Sequence, residues 1–265
     1  MSGPAITAVH SGSASGAPLV LGPSLGTAAP LWDAAVELLG NQFSILCWDL
    51  PGHGLSRPAT EPFTLASLAE AVLRLADEQG AERFYYAAVS LGGAVGVELA
   101  LRHPDRLLGL STICSIPRFG EPAAWHERAA LVRGQSTAAL VVPSAARWFG
   151  PDFITANPRV ASGLLHALSE VDDESYALCC EVLAAYDARP ELASIAVPLL
   201  AISGQFDTVA TTVAVSKFAA AVQNGTAVDV PDAGHLAPAE QPERVAELLT
   251  AFFTNIVFTK EPSHG

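Results

Sequence analysis

The stretch AAVSLGGAVG, residues 87–96, decides how the rest of the chain is read. An apolar run from Phe84 to Val89 reaches Ser90 and passes into a segment rich in small residues, Leu91 to Arg102, which stops before Pro104. The run reads as a buried strand and the segment as a helix. A serine at such a junction can occupy a sharp, strained turn that lifts its Oγ above the sheet. The small residues around it let strand and helix cross closely. The usual pattern has glycine two places before the serine; here that place is Ala88, and Gly92 and Gly93 follow. Taken alone, the same serine also fits a plain helix N-cap, so its context has to decide.

Working outward, strands and helices alternate. Pro18–Gly22, Phe43–Asp49 and Arg106–Ile113 read as further strands, and Leu31–Leu39 and Leu65–Gln79 as helices. In the second helix Leu65, Leu68, Ala69, Val72, Leu75 and Ala76 fall at helical spacing. The alternation predicts an α/β fold, a mostly parallel sheet flanked by helices. It lapses between residues 118 and 190, where only helical stretches are found: Pro122–Val132, Ala138–Phe149, Arg159–Leu168 and Ser175–Tyr186. It resumes with strands at Val197–Ser203 and Ala227–Val230 and helices at Val213–Val222 and Glu240–Phe253. The expected organisation is a core of residues 1–117 and 191–265 with an inserted helical cap, 118–190, of about 70 residues, near the lower end of domain size.

Two further residues give Ser90 its context. Asp207 follows the strand at 197–203, and His235 lies between the last strand and the last helix. The chain order Ser, Asp, His is that of the α/β-hydrolase fold. A serine hydroxyl is a weak nucleophile near neutral pH and needs a base within hydrogen-bond reach. His235 would take its proton and return one to the leaving group, while Asp207 would fix the imidazole tautomer. Asp232 competes for the acid's part but reads as a turn residue. His53, in PGHG, reads as structural, His103 follows a helix end, and His10 and His264 lie near the termini. A tetrahedral intermediate needs backbone N–H donors. Leu91, directly after the serine, is one; Leu25, in the loop GPSLGTAAPLW after the first predicted strand, is the other.

Composition narrows the partners. The 265 residues carry a formal net charge of −13. That argues against nucleic acid or an anionic membrane as partner, since both need clustered Lys and Arg. Cys47, Cys114, Cys179 and Cys180 have no zinc-type spacing and read as packed, reduced thiols, which suits a cytoplasmic location. No signal-peptide pattern opens the chain, no run reaches the roughly 20 apolar residues of a spanning helix, and the segment after Phe258 reads as a polar tail.

From about Leu19 to Phe253 the chain resembles the 3-oxoadipate enol-lactonases of the α/β-hydrolase superfamily. DLPGHGLS (49–56), AVSLGG (88–93), GQFD (204–207) and AGHLAPAEQPE (233–243) are common to the superfamily. SLGTAAPLW (24–32) and the cap segments WHERAALVR (125–133), RWFGPDF (147–153) and YALCCEVLAAYD (176–187) are more specific to the lactonases. The chain departs from that family at Pro23, usually Asn, at Ala88, usually Gly, and in the histidine loop. The resemblance implies hydrolysis of a carboxylated enol-lactone in aromatic catabolism, with no metal or organic cofactor. A carboxylated substrate needs a cation: Trp125 and Arg128, three apart on a predicted helix, share a face, and Arg133 and Arg147 are alternatives. A general carboxylesterase or a C–C bond hydrolase of the same fold would carry the same triad. A non-catalytic ligand-binding receptor would have no need of it.

Overall fold

The computed structural model describes residues 3–256; the predicted polar tail and His264 lie outside them. Among the described residues, seven strands form a sheet in the order β1-β3-β2-β4-β5-β6-β7. They are β1 (Thr7–Gly12), β2 (Ala17–Gly22), β3 (Phe43–Asp49), β4 (Phe84–Val89), β5 (Leu107–Ile113), β6 (Leu199–Gly204) and β7 (Gly225–Val230). β1 runs antiparallel to β3, and every other pairing is parallel. Helices α1 (Asp33–Leu39), α2 (Leu65–Glu78) and α3 (Ser90–Arg102) alternate with the first strands. Between β5 and β6 the chain forms helices alone: α4 (Pro122–Gln135), α5 (Val141–Trp148), α6 (Phe153–Ala156), α7 (Pro158–Ser169) and α8 (Asp173–Ala185), with α4 packed along α8. Three more follow: α9 (Thr212–Ala220), α10 (Ala237–Glu240) and α11 (Pro242–Thr254).

Burial explains the layering. Every residue of β4 and β6 is buried, as expected for parallel strands covered on both faces. α2 buries Leu68, Ala69, Val72 and Ala76 on one face and starts at a reciprocal cap, in which Thr64 Oγ1 accepts from Ser67 N–H and Ser67 Oγ from Thr64 N–H. α3 is almost wholly buried, so its small residues are what let it lie against the sheet. No described helix is long and apolar enough to cross a membrane.

The structure corrects four details. β1 was not expected. Its residues are mostly exposed, and it is held by backbone pairing from Thr7 opposite Asp49 to Gly12 opposite Ser44 rather than by an apolar pattern. The strand expected from Val197 begins at Leu199, because Pro198 has no N–H to give to a ladder. The stretch 138–149 splits into a 3-10 turn, Thr137–Leu140, and α5, whose first turn accommodates Pro143. Pro242 similarly opens α11, leaving Glu240 in the short α10.

Candidate active site

The site forms at the carboxyl edge of the sheet, where ligands of open α/β sheets bind. Ser90 follows β4 directly, with φ 51, a left-handed conformation that a non-glycine residue adopts only under constraint. The constraint comes from both sides. Ser115 Oγ donates to Ser90 O at 2.9 Å, and Gly92 N–H donates to Pro23 O at 3.1 Å, tying the loop after β2 to the serine turn. Ala88 fits there because its neighbours are glycines. A Cβ on Gly22 would lie 2.7 Å from the Ala88 methyl, and one on Gly92 3.0 Å from it.

Asp207 follows β6 and His235 follows β7; both are 4 % exposed, and Ser90 is 6 % exposed. His235 Nδ1 lies 2.9 Å from Asp207 Oδ2. A carboxylate only accepts, so Nδ1 is the donor in this bond and Nε2 is the ring nitrogen turned away from Asp207. Burial raises the Asp207 carboxyl, but the adjacent His235 ring and the N–H groups of Val209 and Ala210 outweigh it and hold it below its ordinary value. Two consecutive residues at the end of β5 reach both halves of the site. Ser115 binds the serine turn, and Cys114 Sγ donates to Gly234 O at 3.5 Å, beside His235. Asp232 lies on an exposed turn with φ 56, as its turn reading requires.

The loop after β2 fits a donor role. Ser24 N–H donates to Thr27 Oγ1, Gly26 N–H to His53 Nε2 and Thr27 N–H to Ser24 O, which leaves Leu25 N–H without an acceptor among the described residues. Leu91 N–H is in the first turn of α3, where no intrahelical acceptor exists. His53 is structural. It is buried, its Nε2 accepts from Gly26 at 3.1 Å, and its Nδ1–H donates to Pro51 O at 2.9 Å. Burial pushes its pKa down to about 4, so the ring is neutral.

The helices after β5 cover this edge. Leu168, Trp148 and Tyr176 pack on Gly26, beside Leu25. Arg128 lies over the Trp125 ring, 5.2 Å from its centroid; burial raises the pKa of the Tyr176 hydroxyl, and the positive charge of Arg128 opposes that rise. Arg147 is half-buried; burial, then the positive charge of Arg128, holds its pKa below the usual value. Neither Arg128 nor Arg147 has a carboxylate partner among the described residues. Arg133, unlike these two, is paired with acids. Its guanidinium is bound at 2.6 Å to both Glu174 and Glu181 on the exposed side of α8, so it is already neutralised. Tyr176, Ser115 and Glu240 were not singled out by the sequence. Tyr176 and Ser115 act by contacts made only in the fold. Glu240 stands five residues after His235, and that spacing was the available signal. Among the described residues, Cys114, Asp207 and His235 are one group that brings potential metal ligands within 4.8 Å. Burial holds the Cys114 thiol well above its ordinary pKa, and Asp207 and His235 are bonded to each other.

Sheet order, serine turn and acid–histidine pair define an α/β hydrolase. The profile of the alpha/beta hydrolase family matches residues 15–248, and the chain belongs to that family; it is a carboxylic ester hydrolase. It is similar to 3-oxoadipate enol-lactonase 2 of Acinetobacter baylyi, with 34% identity over 225 residues, 85% of this chain and 84% of that one. Among solved structures, the enol-lactonase from Burkholderia xenovorans LB400 superimposes with a TM-score of 0.90 at 33% identity, covering 94% of this chain and 96% of its own. A thermophilic esterase from Thermogutta terrifontis, solved with malate bound, gives 0.89 at 25% identity, covering 95% and 93%.

Proposed function

We propose that the protein opens a small enol-lactone bearing a carboxylate, of the 3-oxoadipate enol-lactone kind, through an acyl-enzyme on Ser90. The observation that carries this reading is the pair Arg128 and Arg147, both half-buried, near enough for the charge of one to lower the pKa of the other, and without a carboxylate partner among the described residues. Two like charges held together in a partly dry setting are costly unless an anion joins them. In a chain with net charge −13, they supply the local cation that an anionic substrate needs. Similarity to enol-lactonases over most of the chain supports the substrate class.

The steps follow from the side chains. Residues 118–190 act as the cap that encloses the lactone, with Trp125 and Arg128 on one wall and Arg147 beside them. Ser90 Oγ attacks the ring carbonyl as His235 Nε2 takes its proton. The oxyanion is received by the N–H groups of Leu25 and Leu91. The ring C–O bond breaks, His235 protonates the leaving enol oxygen, and the enol relaxes to a ketone. Water, deprotonated by His235, then releases the acid from Ser90. Asp207 holds the ring tautomer throughout and stabilises the imidazolium.

A second reading, a short-chain esterase, is favoured by the close superposition of the Thermogutta enzyme. The test compares a carboxylated enol-lactone with a neutral nitrophenyl ester. The lactone is expected to turn over much faster, with Ser90→Ala losing at least about 10³-fold on both substrates. Arg147→Ala is expected to raise KM for the lactone by about tenfold or more and to leave the neutral ester unchanged. Fast ester turnover with an inert lactone would keep the esterase and discard the lactonase.

A further inference from the structure

We propose that Glu240 is a positioning residue for His235, one carboxylate that clamps the histidine loop to the end of α5. This rests on the reading of His235 as the general base. Glu240 is 7 % exposed and lies in α10, five residues beyond His235. Its Oε1 accepts from Gly234 N–H at 2.8 Å, and its Oε2 accepts from Gly150 N–H at 2.6 Å. The first donor is the residue immediately before His235. The second belongs to the segment leaving α5, which carries Arg147 and Trp148.

The same two segments are joined a second time. Trp148 O accepts from His235 N–H at 2.9 Å and from Leu236 N–H at 3.1 Å. They also touch without side chains between them: a Cβ at Gly234 would stand 2.7 Å from Gly150 N and 2.9 Å from Trp148 O. The backbone carrying His235 is therefore seated on the backbone of the inserted helices, and Glu240 closes the seat from beneath.

Only a carboxylate can make this clamp. Each of its oxygens faces a backbone donor, so both positions must accept. Glutamine has the same shape but one acceptor; its NH₂ would be turned toward a backbone N–H. Desolvation favours the neutral acid and raises the Glu240 pKa, opposed by the N–H groups of Gly150, Gly234 and Leu236 and by the neighbouring His235 ring. A buried acid that does no chemistry, held against that tendency beside the proposed base, sets where the imidazole stands. The distance over which a proton is transferred tolerates little displacement.

The experiment measures kcat and KM for a short-chain nitrophenyl ester with the full chain, Glu240→Gln, Glu240→Asp and His235→Ala. Folding is followed by near-ultraviolet circular dichroism. The expected result is a fall in kcat of about tenfold or more for Glu240→Gln, with KM within about twofold and the spectrum unchanged. Should that variant not fold, Glu240→Asp is read by the same criterion, since it keeps the charge and both acceptors on a shorter arm. The proposal is overturned if kcat stays within about twofold, if KM alone rises, or if the lost activity matches the lost folded fraction. Full activity in His235→Ala would remove the proposed base and this inference with it. An inactive His235→Ala beside a fully active Glu240→Gln would overturn this inference alone.

Discussion

At the scale of single residues, His53 shows how a group outside the chemistry can govern the site. Its neutral ring accepts from Gly26 N–H, next to Leu25, whose N–H has no acceptor among the described residues. Its folded pKa of about 4 lies below the ordinary imidazole value of 6.5. The unfolded chain therefore binds a proton on His53 that the folded chain refuses. The stability this represents is present above the unfolded pKa and is lost as pH falls from there toward the folded value. Between about pH 7 and pH 5 the loss should be about 2 kcal/mol. Urea unfolding at the two pH values should show it in the native protein, and His53→Gln should flatten the difference. An equal slope in both proteins would mean that the ring is not held neutral.

At the scale of elements, the crossing of β2, β4 and α3 is the tightest joint near the serine. Ala88 puts a methyl into this crossing, and Gly22 and Gly92 make room for it. Gly22→Ala should therefore cost about 1–3 kcal/mol by overpacking. Adding Ala88→Gly should recover part of that, less than all, because Trp48 Nε1 and Tyr86 Oη also stand 2.9 Å from the added methyl. Denaturant midpoints for the single and double variants measure the coupling. The same joint shows what was legible in the sequence. The apolar run into Ser90, and the positions of Asp207 and His235 after β6 and β7, were readable because strand periodicity and chain order are local signals. The edge strand β1 was not, since backbone pairing alone holds it. The sequence left Arg133, on the helix of Arg128, and Arg147, on the next, as alternatives to Arg128. The fate of Arg133 was decided by Glu174 and Glu181, about 40 to 50 residues away in sequence, and pairing at that range leaves no periodicity to read.

At the scale of the whole molecule, the sheet carries a roof of helices, the stretch between β5 and β6, whose Trp148, Leu168 and Tyr176 lie over Gly26. The four cysteines are divided between these parts: Cys47 in β3, Cys114 after β5, and Cys179 with Cys180 side by side in α8. All four are buried and free, so a thiol reagent should find none of them in the closed protein. They thus form a chemical stopwatch with two hands. If the roof opens as a unit while the sheet stays folded, the adjacent pair should react first and together, and the remaining two only at the rate of global unfolding. A single phase in which all four react would mean that roof and sheet let go at once. The wild-type chain needs no added label to tell the two apart.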